Sequence, residues 1–274
     1  MRRRFVRHRF GRGGAPKGPR VRRWREFRER RRGGIFLLPS LLTTGNLFCG
    51  FLALILTVDA RYAEAALAIF VAIVMDMLDG KVARMTKTTT QFGVEFDSLA
   101  DVVSFCVAPA FLLHARALSA MGRAAWVAAF LFVVCGALRL ARFNVATGTA
   151  DRRYFVGLPT PAAGGLVASA VLFLEGRVLS RWELLAVGAG TYLLALLMVS
   201  TFRYYSFKDV DFARRRPFGT IVVVVLGALI VATYPQLFLF VLFGLYGLSG
   251  PARRLWIRKR EAPVLAGVEP REPS

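Results

Sequence analysis

The feature that most restricts the fold of this chain is a succession of eight apolar segments. They are residues 36–57, 62–79, 97–115, 121–143, 160–178, 181–201, 217–234 and 235–250. A helix of about 20 residues crosses about 30 Å of hydrocarbon, and several of these segments reach that length. The sequence therefore predicts an all-α, polytopic membrane protein with about eight transmembrane helices. With 55% hydrophobic residues and 23 Phe, the composition excludes a disordered chain, a collagen-like chain and a small disulfide-bonded scaffold.

Basic residues are concentrated on one side of these segments. The chain carries 38 Lys and Arg against 17 Asp and Glu, which gives a net charge of +21. With the N-terminus inside, nearly all the basic residues fall on the cytoplasmic side. The outer side keeps Arg61, Arg116, Arg123, Arg177 and Arg181. Because cytoplasmic loops of membrane proteins are enriched in Lys and Arg, this asymmetry predicts that both termini lie in the cytoplasm.

The basic ends divide the chain into three predicted parts. They are a basic cytoplasmic tail (1–34), a transmembrane domain that would carry the functional site (35–250) and a second basic cytoplasmic tail (251–274). In the first tail Val21, Trp24 and Phe27 recur at helical spacing among arginines, which favours an amphipathic helix lying on anionic lipid. A solvated tail that only sets topology is the alternative. Nucleic-acid binding is not expected, because the sequence contains no groove-reading motif.

Four aspartates stand at the inner ends of the second and third segments, where carboxylates are costly and therefore indicate function. Asp76 and Asp79 are three residues apart, and Asp97 and Asp101 are four apart, so each pair shares one helix face. A short connection would make the two helices antiparallel neighbours and bring the carboxylates together. An all-oxygen cluster suits Mg2+, Mn2+ or Ca2+ rather than zinc. Two divalent ions would balance the four charges, and such pairs are common in phosphoryl transfer.

The residues between the carboxylates fit a nucleotide ligand. Gly80 and Ala83 lie on the carboxylate face of their helix, where small residues allow close approach to the backbone. Arg84 is a fixed cation that can grip phosphate oxygens at two points. Gly93, four residues before Asp97, would clear the start of the next helix. The alternative is that the small residues serve helix packing and Arg84 sets topology.

These residues form a spaced pattern that resembles a known family. The pattern Asp76-x2-Asp79-Gly80-x2-Ala83-Arg84-x8-Gly93-x3-Asp97-x3-Asp101 is similar to the full signature of the CDP-alcohol phosphotransferase family. The resemblance implies a six-helix membrane core, a homodimer, a CDP-linked lipid donor and release of CMP. It also implies that the aspartates hold two divalent metals, Mg2+ or Mn2+. Asp101 matches the aspartate that acts as base on the acceptor hydroxyl.

Further motifs resemble the branch of this family that transfers a phosphatidyl group to serine. They lie at Leu38–Gly50, Arg139–Asn144, Gly157–Ala163 and Ser206–Lys208. The resemblance implies CDP-diacylglycerol and L-serine as substrates, phosphatidylserine as product and a place in the bacterial inner membrane. Two other acceptors stay open, namely glycerol 3-phosphate and inositol phosphate. A cation-conducting protein is the alternative from another class, although it would spread its carboxylates along a pore axis.

Substrate contacts outside the signature are predicted on three further segments. Thr43 and Asn46, in the first segment, are candidates for donor nucleotide contact, with interhelical hydrogen bonding as the alternative role. The carboxylate of a serine acceptor needs a cation. The candidates for acceptor binding are Arg139, Arg142, Asn144 and Lys208, with Arg142 preferred. Anchoring by side chains that reach toward the lipid headgroups is the alternative for the arginines.

Overall fold

The computed structural model describes the backbone of residues 19–86, 90–146, 154–205 and 234–265, and most side chains between Pro39 and Arg254. The helices are α1 (Pro19–Val58), α2 (Tyr62–Thr86), α3 (Gln91–Asp101), α4 (Ala108–Leu113), α5 (Arg123–Ala146), α6 (Thr160–Phe173), α7 (Arg181–Val199) and α8 (Pro235–Leu265). The predicted segment 217–234, the predicted Lys208 contact and the side chains of Val21, Trp24 and Phe27 lie outside the described residues. The prediction of an all-α membrane protein is confirmed.

Five described helices are long and apolar enough to cross a bilayer. These spans are Pro39–Val58, Gln91–Met121, Arg123–Val145, Arg181–Val199 and Pro235–Arg254. The chain is therefore an integral membrane protein. Helix α2 has 25 residues but carries Asp76 and Asp79 toward its C-terminal end. Helix α6 is apolar but has only 14 residues, which corresponds to about 21 Å at about 1.5 Å per residue.

The span Gln91–Met121 is one continuous helical segment with two π-helical interruptions. After α3 ends at Asp101, the segment Val102–Val107 is π-helical. A second π-helical segment, His114–Leu118, follows α4. A π-turn inserts an extra residue into a helix and is frequent at functional sites. The first interruption begins directly after one of the four signature aspartates.

Helix α6 ends earlier than the sequence predicted. The apolar segment was expected to run to residue 178, but the helix stops at Phe173. Gly176 then adopts a positive φ of 70°, and Arg116 Nη2 donates to the carbonyls of Leu174 and Arg177. The guanidinium thereby satisfies backbone oxygens that the helix end leaves without an internal partner.

The helices pack closely because small residues line their contacts. Helix α1 packs along α2, α5 against α7, and α6 against both α2 and α8. The buried core is rich in alanine, as at Ala53, Ala65, Ala66, Ala68, Ala72, Ala100 and Ala108. Small side chains allow the backbones of membrane helices to approach, so that dispersion contacts replace the missing hydrophobic drive between apolar helices in lipid.

A short two-stranded ribbon lies between the N-terminal end of α6 and the C-terminal end of α7. Strand β1 (Tyr154–Val156) pairs antiparallel with β2 (Arg203–Tyr205). Tyr204 is fully buried, and its hydroxyl donates to the carbonyl of Gly247 at 3.0 Å. The Tyr204 ring also lies against Gly250, where an added Cβ would stand 2.5 Å from the ring. The ribbon, which the sequence analysis did not predict, therefore attaches to α8.

Candidate metal centre and active site

Three of the four signature aspartates meet at one point. One carboxylate oxygen each from Asp76, Asp97 and Asp101 lies within 4.8 Å of the other two. Helix α2 supplies the first of these residues, and α3 supplies the other two. Asp101 is only 8% exposed. Three negative charges this close repel one another strongly unless a cation lies among them.

Asp79 is not one of these three converging carboxylates, and its side chain contacts α1. It is 4% exposed, and its Oδ2 accepts a hydrogen bond from Thr43 Oγ1 at 3.0 Å. The same threonine oxygen is 3.0 Å from the carbonyl of Pro39, one turn earlier in α1. The structure therefore places Thr43 on a signature carboxylate. Its predicted contact with the donor nucleotide stays a prediction.

Asn46 occupies the corresponding place beside Asp101. Its Nδ2 donates to Asp101 Oδ1 at 3.1 Å, and Asn46 is completely buried. Helix α1 thus presents two polar side chains, nearly one turn apart, to two different aspartates. Both hydrogen bonds cross between helices, which is the alternative role that the sequence left open for these residues.

The donor set fits a divalent metal. Asp97 Oδ1 is buried and has no hydrogen-bond partner among the described residues. A buried carboxylate oxygen without a partner is costly, and a bound cation would remove that cost. The three converging groups offer only oxygen ligands, which hard cations such as Mg2+ and Mn2+ prefer. The site chemistry is therefore consistent with the predicted metal class.

The rest of the signature leaves the neighbouring face of α2 open. Among the described residues, a Cβ added at Gly80 would meet only the Arg84 side chain, at 3.6 Å. Ala83 is half-buried and Arg84 is exposed. Across the gap, Thr90 caps α3 by accepting a hydrogen bond from the Gly93 amide at 3.0 Å. This surface has the room and the cation that phosphate binding needs, while Gly93 serves the start of α3.

Arg139, on α5, is the most deeply buried of the predicted acceptor residues. It is 6% exposed, and its Nη1 donates to Thr160 Oγ1 at 3.0 Å. Its Nε is buried and has no partner among the described residues. Asp101 lies close enough for the two charges to attract. The buried Arg139 guanidinium lies beside the carboxylate cluster and keeps a donor without a partner among the described residues. Such a group can bind an anion.

The Arg142 guanidinium donates hydrogen bonds to backbone carbonyls. Its Nη1 donates to Val199 O at 3.0 Å and its Nη2 to Val156 O at 2.7 Å, with Ser200 O at 3.3 Å. These bonds tie the end of α7 to β1. Asn144 donates from Nδ2 to Ser98 Oγ at 2.9 Å and so links α5 to α3. The structure gives both residues contacts within the protein, and their acceptor roles stay predictions.

Two residues at the site were not singled out from the sequence. Thr160 is fully buried at the start of α6 and accepts from Arg139. Ser104 is fully buried in the first π-helical segment, and its Oγ donates to the backbone carbonyl of Asn46 at 2.9 Å. A hydroxyl inside an otherwise apolar segment is the signal that could have identified each. The partner of each hydroxyl depended on tertiary packing.

Comparison with known proteins gives a consistent group of relatives. The profile of the family described as CDP-alcohol phosphatidyltransferase matches residues 36–202. A CDP-diacylglycerol–serine O-phosphatidyltransferase of Helicobacter pylori is 38% identical over 229 residues, covering 81% of this chain and 92% of the relative. One from Methanocaldococcus jannaschii is 36% identical over 175 residues, covering 64% and 77%. An archaetidylserine synthase of Methanothermobacter thermautotrophicus is 37% identical over 172 residues, covering 61% and 69%.

Proposed function

The chain belongs to the CDP-alcohol phosphatidyltransferase family, and on that premise we propose that it transfers a phosphatidyl group from CDP-diacylglycerol to L-serine. The products are phosphatidylserine and CMP. The observation that carries the proposal is the convergence of Asp76, Asp97 and Asp101 at the end of two membrane helices. The names of relatives that match most of the chain support serine as the acceptor.

The carboxylates would hold Mg2+ or Mn2+, with two ions per site. Asp76, Asp97 and Asp101 offer converging oxygens, and the buried, unpartnered Oδ1 of Asp97 supports a cation there. Asp79 joins the set from one turn further along α2. When bound, the ions supply positive charge that offsets the diphosphate of the donor and the charge that develops on CMP.

Asp101 takes the proton from the serine hydroxyl. The hydroxyl oxygen then forms a bond to the phosphorus that carries diacylglycerol, and the bond from that phosphorus to the CMP oxygen breaks. The burial of Asp101 keeps water away from this step, and its hydrogen bond from Asn46 fixes the carboxylate. A positioned carboxylate of this kind typically contributes about 10²–10⁴-fold to such a reaction.

Arg139 binds the carboxylate of serine. Its charge lies near Asp101, and its buried Nε has no partner among the described residues. Arg142, which the sequence favoured, already donates to the carbonyls of Val156 and Val199. To bind substrate it would have to abandon them, so the contacts support Arg139 as the acceptor cation.

The donor nucleotide lies along the open face of α2. Gly80 and Ala83 leave room beside the backbone, and the exposed Arg84 reaches phosphate oxygens. The diacyl chains of the donor stay in the bilayer while its headgroup enters from the cytoplasm. On this proposal the enzyme lies in the bacterial inner membrane with both termini in the cytoplasm. The basic tail 1–34 then lies against anionic lipid, and nucleic acid has no part in its function.

A homodimer accords with the outer surfaces of the later helices. Helix α7 exposes Trp182, Leu185, Leu193 and Leu196, and α8 exposes Leu237, Val241, Leu242, Leu245 and Leu248. Such surfaces in a membrane protein contact either lipid or another subunit. Crosslinking between cysteines placed on each face in turn would identify the subunit contact.

A CMP-release assay on the purified protein in detergent tests the proposed function. CDP-diacylglycerol and Mn2+ are supplied, and serine, glycerol 3-phosphate and inositol phosphate are offered separately. We expect release with serine alone, lost in Asp101→Asn and kept in Asp59→Asn, where the same change is made at an exposed loop residue. Release with a phosphorylated acceptor alone would overturn the serine assignment, and no release with any acceptor would overturn the transferase function.

A further inference from the structure

We infer that Asn46 is a positioning residue for Asp101, and that Ser104 and Gly50 hold Asn46 in place. The inference rests on the proposed function, because it assigns the task of Asn46 to the carboxylate that takes the acceptor proton. It replaces the nucleotide contact expected for Asn46 with an action on Asp101. It also gives a role to Ser104 and Gly50, which lie outside the family signature.

The side-chain amide of Asn46 contacts the carboxylate of Asp101. Asn46 Nδ2 donates to Asp101 Oδ1 at 3.1 Å, and both residues are buried. A carboxylate has two oxygens, and a donor on one of them fixes the plane of the group. The other oxygen is then held in one direction, available to the acceptor hydroxyl or to a cation. Orientation of this kind is a large part of what a catalytic site supplies.

Asn46 is also held in place by the membrane span that carries Asp101. Ser104 Oγ donates to the backbone carbonyl of Asn46 at 2.9 Å. Ser104 lies three residues after Asp101, in the π-helical segment Val102–Val107. The side chain and the backbone of one asparagine are therefore bound by two residues of the same helical turn. A two-point attachment fixes the asparagine relative to that turn far better than one bond would.

This attachment requires close packing between Gly50 and Ser104. A Cβ added at Gly50, one turn after Asn46, would stand 2.3 Å from Ser104 Oγ and 2.6 Å from Ser104 Cα. Any side chain at residue 50 would therefore push α1 away from the π-helical segment. The separation set at Gly50 determines whether the Asn46 amide can reach Asp101.

The rival role for these three residues is helix packing without an effect on the reaction. Packing alone predicts losses of thermal stability with kcat unchanged. Positioning predicts that Ser104 acts only through Asn46, so the effects on kcat are not additive. Nucleotide binding by Asn46 predicts instead a higher KM for CDP-diacylglycerol with kcat preserved.

The experiment is a double-mutant cycle on the full-length protein in detergent, with CMP release and thermal unfolding both measured. We expect Asn46→Ala to lower kcat by about tenfold or more, with each KM changed by less than about threefold. Ser104→Ala should lower kcat by a smaller factor, and should have no further effect when Asn46 is already Ala. Gly50→Ala should lower kcat in the same way as Asn46→Ala.

Ser169→Ala is the matched control. Ser169 is also fully buried, but its hydroxyl donates to Leu166 O within its own helix, at 2.8 Å, so kcat should not change.

Additive kcat losses, an unchanged kcat in Asn46→Ala, or a selective rise in the KM for CDP-diacylglycerol would each overturn the inference. If Asn46→Ala fails to fold, a wild-type kcat in both Ser104→Ala and Gly50→Ala would overturn it equally. An inactive wild-type protein would instead count against the proposed function, so the two failures are distinguishable.

Discussion

The hydroxyl of Thr43 on α1 donates to the Asp79 carboxylate on α2 at 3.0 Å, across the interface between the two helices. Asp79 is almost completely buried, so this bond offsets part of the cost of removing the carboxylate from water. Asp79 is not one of the three converging carboxylates, and its hydrogen bond is made with α1. The first two aspartates of the signature therefore stand in different surroundings, although they are one turn apart.

We expect Thr43→Val to destabilise the protein by about 1–3 kcal/mol, because it leaves the buried Asp79 carboxylate without its side-chain donor. The metal concentration needed for half-maximal activity should rise as the carboxylate loses its orientation. Thermal unfolding and a Mn2+ titration of CMP release measure the two effects. Thr57→Val is the control, because Thr57 is buried in α1 but bonds only to Ala53 O at 2.7 Å. An unchanged Mn2+ titration would contradict the expectation.

Substitutions at the neighbouring residues Arg139 and Arg142 should have different effects on the KM for serine. Arg139→Lys keeps a charge but loses the planar donor set, and we expect the KM for serine to rise about tenfold or more. Arg142→Lys should leave that KM nearly unchanged and lower the unfolding temperature, because it breaks bonds to Val156 and Val199 carbonyls. Steady-state kinetics with serine and thermal unfolding of each variant check the split. The reverse pattern would return the acceptor role to Arg142.

Removal of divalent metal should abolish CMP release, and added Mn2+ or Mg2+ should restore it. Because a ligand that binds only the folded state stabilises it, added Mn2+ should also raise the unfolding temperature of the wild-type protein. Asp97→Asn should lose this thermal shift, because it removes one of the converging carboxylates. A full Mn2+ shift in that variant would place the metal elsewhere.

Gly157→Ala should cost more stability than an ordinary glycine replacement. Gly157 has a φ of +82°, and an added Cβ would stand 2.2 Å from Met198 O and 2.8 Å from Arg142 Nη2. The methyl group adds a clash to the backbone strain, and we expect a loss of at least about 2 kcal/mol. Gly122→Ala is the matched control, because Gly122 also has a positive φ but no atom of the described residues lies within 4 Å of its added Cβ. Equal losses in the two variants would show that strain alone matters.

Helical periodicity and the signature spacing predicted that four aspartates would converge, and the structure brings one carboxylate oxygen each from Asp76, Asp97 and Asp101 within 4.8 Å of one another. Spacing along one helix determines which residues share a face, but it does not determine what each side chain finds on the neighbouring helix. For that reason the pairing of Thr43 with Asp79, and of Asn46 with Asp101, could be foreseen only as one of two roles. The contacts of Arg142 depended on where the ends of α7 and β1 lie, which apolar periodicity does not encode.

Helix α6 has only 14 residues, and most of its side chains are buried by its neighbours. Mismatch between a helix and the membrane is transmitted where lipid touches protein, and α1, α2, α5, α7 and α8 all expose large apolar side chains, whereas α6 exposes none. A change in acyl-chain length of the host membrane would thus act first on the tilt of those peripheral helices. Thr160 begins α6 and accepts a hydrogen bond from Arg139. Its position should change little with the acyl-chain length. The α6 side of the acceptor site should therefore change less than the peripheral helices do in membranes of different thickness.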